Sequence, residues 1–160
     1  MKDLGDLFTY ILGDMYCAEH QILTAMPTMS GKASDDDLRA ALEQLRRDTQ
    51  AQIDVLTEVF ATLGIAAKPG LCPAIGSILV ESGLFMSEAA KCETRDAGLI
   101  AAAQTLGHYK IARYGTLIAW ADELGKSDIA EQLRANLARE HAADAKLSKL
   151  GQTEVNKEAA

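Results

Sequence analysis

The sequence predicts an all-α protein, a four-helix bundle of two antiparallel hairpins joined by a long crossover that carries a short helix. Three observations lead there. Apolar residues recur every three to four positions through four long segments, the spacing of a core-facing helical stripe. Only 3 prolines occur in 160 residues, and the periodic segments are rich in the good helix formers Ala, Leu, Glu and Lys. Turn chemistry is concentrated between those segments, as in Lys68-Pro-Gly70 and Cys72-Pro73. The 48% of apolar residues suffices for one domain with its own core. We place that domain at residues 1–150 and expect residues 151–160 to form a flexible tail.

The elements follow in order. Helix 1 is expected from about Asp3 to Met29, with the stripe Phe8, Leu12, Met15, Glu19, Ile22, Met26 and an end near Pro27 and Gly31. Ser34 is the expected N-cap of helix 2, and Asp35, Asp36 and Asp37 suit the positive end of its dipole. Helix 2 runs to about Leu63, where Gly64 stops it. One of its stripes contains Leu42, Leu45, Thr49, Gln52 and Leu56, and the adjacent one contains Asp48 and Gln52. Residues 65–91 break the pattern, except that Ala74–Met86 can form a short helix on Ile75, Ile78, Leu79 and Phe85. The third long helix is expected at Glu93–Leu124, with the stripe Ala97, Ala101, Gln104, His108, Ile111, Gly115, Ile118. Gly125 ends it, and Ser127-Asp128 opens the last helix, which reaches about Leu150.

That last helix carries the most informative stretch. Its stripe reads Leu133, Leu137, Glu140, Asp144, Leu147, so two acids one turn apart interrupt a core-facing seam. Antiparallel neighbours joined by a short loop place residues level when both are equally distant from that loop. By that measure Glu19 is level with Asp48, His108 with Glu140, and Gln104 with Asp144. The seven residues Glu19, Asp48, Gln52, Gln104, His108, Glu140 and Asp144 should therefore form one polar layer inside the molecule. No Lys or Arg falls at that level on these stripes, so the four acids must be protonated, wet, or bound to metal. Oxygen-rich donors with one imidazole favour iron or manganese over zinc, and inward carboxylates with His in a four-helix bundle are the architecture of dinuclear carboxylate sites.

The remaining signals exclude more than they assign. A formal charge of -7 argues against nucleic acid and anionic membranes as partners. No apolar run is long enough to span a bilayer. The N-terminus enters an acidic amphipathic segment directly, which does not read as a signal peptide. Cys17, Cys72 and Cys92 are widely separated and read as reduced thiols, chiefly packing residues, of a cytoplasmic protein. His20, His141 and Glu81 read as solvated surface residues.

Several motifs together resemble the YciE/YciF-type ferritin-like proteins, a bacterial family of unknown function. They are Asp14-Met-Tyr-Cys-Ala-Glu-His-Gln21, Asp48-Thr-Gln-Ala-Gln52, the run from Asp96 to Gln104, His108-Tyr109, Tyr114-Gly-Thr116, and Glu140 with Asp144. The resemblance spans nearly the whole chain. It implies a ferritin-like bundle, a homodimer, a cytosolic setting and an association with stress response. It implies no settled reaction, but it carries the candidate metal positions onto the same seven residues. The leading expectation from the residues is two ions per chain of iron, or alternatively manganese or zinc, able to react with a small oxidant such as oxygen or peroxide. The alternative is a dimeric structural or interaction protein with a vestigial metal site. The chain departs from the family pattern at Asp48, shorter than the usual Glu, and at Gly107 and Lys110, which replace acids that commonly flank the His-Tyr pair.

Overall fold

The computed structural model describes residues 1–160, the side chain of Glu154 excepted. It is all-helical, with no strand among the described residues. The elements are α1 (Leu4–Lys32), α2 (Asp36–Thr62), α3 (Pro73–Glu88), α4 (Cys92–Glu123), α5 (Ser127–Leu150) and the short α6 (Asn156–Ala159). The four long helices touch in a ring. α1 packs on α2 and α4, and α5 packs on α4 and α2. The crossover helix α3 lies against α4 and α1, outside that ring.

Local chemistry sets the element ends. The carboxylate of Asp3 caps α1 by accepting from the Asp6 N–H, and Asp35 caps α2 by accepting from the Leu38 N–H at 2.6 Å. The expected cap Ser34 lies one residue earlier, and its own N–H is taken at 2.9 Å by Asp96 of α4. Asp96 also accepts from the Asp35 N–H at 2.8 Å, which fastens the α1–α2 corner to the start of α4. Gly64 and Gly125 stop α2 and α4 at φ of 69° and 67°, backbone that L side chains rarely adopt.

Two boundaries differ from expectation. Pro27 lies within α1, which continues to Lys32. Helical structure continues past Leu150: Gly151–Val155 form a π-helical turn, α6 follows, and Val155 is buried.

The core forms two apolar clusters. One gathers Ala18, Ile22, Met26, Leu38, Leu42, Leu99, Leu106 and Leu147 near the α1–α2 loop. The other gathers Phe8, Leu12, Met15, Leu56, Phe60, Tyr114, Leu117 and Leu133 toward the opposite end. Between them sits a small set of buried polar groups: Glu19, Thr49, Gln52, Lys110, Asn136 and Glu140.

Candidate functional site

The buried polar set is centred on a lysine. The Lys110 ammonium, 2% exposed, lies 2.9 Å from Glu19 Oε2, 2.7 Å from Glu140 Oε1 and 2.7 Å from Gln52 Oε1. α1, α2, α4 and α5 each contribute one of these four residues. The amide of Gln52 also donates to Glu140 Oε1 at 2.5 Å. Tyr114, one turn beyond Lys110, donates its hydroxyl to Glu19 Oε1 at 2.6 Å. Asn136 donates to the same hydroxyl oxygen at 3.2 Å and to the Gln52 carbonyl at 3.3 Å, closing the network from α5. A buried polar network of this kind is stable only when its members are satisfied. Here the second oxygen of Glu19, Oε2, faces the Lys110 ammonium at 2.9 Å.

Two carboxylates and one ammonium leave one negative charge in excess in a dry interior. Burial raises the carboxyl of Glu19 above its ordinary range, with the Glu140 charge adding to the rise and Lys110 opposing it. Burial by itself would lower Lys110, but the two acids more than offset it and hold the ammonium charged. Burial and the neighbouring Glu19 push the Tyr114 phenol well above its usual value, so it remains a donor. The ammonium of Lys110 therefore serves two buried acids at once, and burial disfavours the charged form of Glu19.

The seven residues expected to form one layer are divided. Glu19, Gln52 and Glu140 turn inward onto Lys110. Gln104, His108 and Asp144 form a second group at the α4–α5 surface. Gln104 donates to Asp144 Oδ1 at 3.0 Å, and His108 Nε2 lies 3.3 Å from the same oxygen with its side chain 63% exposed. Asp48 belongs to neither group and accepts from Gln44 one turn away on α2, at 3.0 Å. Among the described residues no three His, Cys, Asp or Glu side chains come together as a metal-binding group. His20, His141 and Glu81 are exposed, as expected.

The statement that no cation reaches this level is corrected by Lys110. The reason is helical phase. The buried face of α4 runs Leu99, Ala103, Leu106, Lys110, Tyr114, Leu117, Ala121 rather than through Gln104 and His108. That walk is itself an apolar stripe broken by a lysine, and following it would have located the missing charge. A divalent ion held by Glu19, Gln52 and Glu140 would have to occupy the position of the ammonium. With Lys110 in place, these residues do not fit a dinuclear centre.

Residues 3–160 match the family model described as a domain of unknown function, DUF892. The chain is 36% identical over 160 residues to Protein YciF of Escherichia coli strain K12, covering 99% of this chain and 96% of that protein. The crystal structure of the E. coli stress protein YciF superposes with a TM-score of 0.93 at 35% identity, covering 98% of this chain and 99% of that one. YcfI from Rhodopseudomonas palustris, described as a candidate structural protein, superposes with a TM-score of 0.91 at 43% identity, covering 92% and 94%.

Proposed function

The chain belongs to the DUF892 family, and from that premise we propose that it is a ferritin-like bundle in which a lysine does the work of the metal. In this reading it is a dimeric, stress-associated structural or interaction protein, and its interior is a stabilising ion network with no di-iron or di-manganese centre. The observation that carries the reading is the Lys110 ammonium within 2.7–2.9 Å of Glu19, Gln52 and Glu140. Buried carboxylates need a counter-charge, and here a covalently tethered one supplies it. Likeness to a stress protein and to a candidate structural protein supports the rest. The homodimer is a further part of the proposal. It draws on apolar side chains that α3 and the preceding segment leave exposed, namely Leu71, Val80 and Leu84.

Metal analysis of the freshly purified protein tests the reading. The expected result is far less than one ion of iron, manganese or zinc per chain, before and after incubation with each metal. Stoichiometric retention of any of the three by the natural chain would reject it. Lys110→Glu replaces the cation by a third carboxylate at the same point and is expected to gain metal binding. Light scattering checks the dimer, and a monomer at micromolar concentration would remove that part alone.

A further inference from the structure

Cys17 and Cys72 stand 55 positions apart in sequence, and three contacts dock the segment that carries Cys72 on the turn of α1 that carries Cys17. The segment before α3 docks on α1 through Gly70, whose N–H donates to the Gly13 carbonyl at 2.8 Å. A side chain at position 70 would collide with Asp14, so only glycine allows this approach. Cys17 is one turn along α1 from Gly13, on the same face. Cys72 is two residues beyond Gly70, and two extended residues span about the rise of one helical turn. Gln21, a further turn along α1, completes the placement. Its amide donates to Cys17 Sγ at 3.2 Å and to the Cys72 carbonyl at 3.3 Å.

The two thiols differ in access. Cys17 is half-buried and lines a cleft of about 730 Å³ with Tyr16, His20, Gln21 and Leu79, open to small solutes. Cys72 is buried, its sulfur 3.3 Å from the Tyr109 hydroxyl. The Arg113 Nε–H donates to that hydroxyl oxygen at 3.2 Å, which leaves the phenolic proton free to point at the sulfur of Cys72. An accessible thiol backed by a sheltered partner is the arrangement of a peroxidatic and a resolving cysteine.

We propose that Cys17 and Cys72 form a peroxide-oxidisable dithiol that closes to an intramolecular disulfide tying α1 to the start of α3. A hydroperoxide entering the cleft is attacked by the Cys17 sulfur. The O–O bond breaks, a sulfenic acid forms on Cys17, and water (or the alcohol of an organic hydroperoxide) departs. The Cys72 sulfur then attacks the Cys17 sulfur, the S–O bond breaks, and the hydroxyl leaves as water with the thiol proton. Two thiols are oxidised by two electrons and one peroxide is reduced. Cys72 precedes the first turn of α3, at the end of a non-helical stretch, so its backbone can shift to satisfy disulfide geometry without unwinding a helix.

The test treats the reduced full-length protein with one equivalent of hydrogen peroxide, blocks remaining thiols with an alkylating agent and maps the peptides. The expected product has lost two hydrogens and contains a Cys17–Cys72 linked peptide, with exposed Cys92 still alkylated. Cys17→Ser abolishes the link and leaves Cys72 alkylatable once unfolded. Cys72→Ala, checked for its fold by circular dichroism, leaves Cys17 trapped as a sulfenic acid that a dimedone probe captures. Recovery of Cys17 and Cys72 as free thiols, or a disulfide that always includes Cys92, would overturn the proposal. These readouts are independent of metal content, so this inference and the proposed function fail separately.

Discussion

Glu140 and Asp144 are the same kind of residue, one turn apart on α5, and their surroundings differ completely. Glu140 is 2% exposed, takes the ammonium of Lys110 and the amide of Gln52, and joins α5 to α2 and α4. Asp144 lies at the α4–α5 surface, where it meets Gln104 and an imidazole that is mostly in water. The inner acid sits where an unpaired charge costs several kcal/mol, and the outer acid sits where water can replace any partner it loses. The lesson is that a helical turn of spacing places two side chains on one face, but a few tens of degrees of phase decide which one reaches the interior.

The contrast can be broken most forcefully at its centre. Lys110→Ala leaves Glu19 and Glu140 buried without a counter-charge and is expected to cost about 3–5 kcal/mol, read as a lower urea midpoint. Adding Glu140→Gln to that variant should restore part of the loss, because one of the stranded charges is removed. If the double variant is less stable than the single one, the network is not electrostatic in origin.

Acidity sharpens the same contrast. The folded state holds the Glu19 carboxyl above its ordinary value of 4.5, so between that value and the raised one the native protein binds more protons than the unfolded chain. Stability is therefore expected to fall as pH rises across that window. Glu19→Gln should flatten the fall. Lys110 and Tyr114 are both raised, so their contribution is complete below pH 10 and is lost above it as the unfolded chain gives up those protons first. Urea midpoints collected across pH 4 to 11 in both proteins check this. An unchanged slope in the Gln variant would assign the dependence elsewhere.

The smallest effects belong to the outer group. Asp144→Ala and His108→Ala should each change stability by less than about 0.5 kcal/mol, since their contacts are solvent-exposed at one end. A loss as large as that of the Lys110 variant would erase the distinction between the two groups.

Much of this molecule could be read without coordinates. Stripe periodicity located α1, α2, α4 and α5 to within a few residues, and Gly64 and Gly125 marked two of the stops. Equal distance from a loop paired Gln104 with Asp144, which do meet at 3.0 Å. On α4 the same reasoning failed, because three small residues, Ala97, Ala101 and Gly115, made a partly exposed face read as apolar. Lys110 departs from the family pattern and lies on the stripe through Leu106 and Tyr114, a face that the walk through Gln104 and His108 bypasses. The cysteine pair was invisible for a different reason. The docking of the Cys72 segment on α1 depends on how a 10-residue non-helical connection, Leu63 to Cys72, lies across that helix, and no periodicity describes that path.

The sequence by itself determined that the chain is helical, where its long helices begin and end, and that acidic groups would lie within its apolar interior. These follow from local propensity and spacing, which act over one or two turns. Tertiary structure decided which of those acids are dry and what neutralises them. That choice rests on the rotation of each helix about its own axis, which is set by the joint packing of all four and brought a lysine from α4 to carboxylates of α1 and α5.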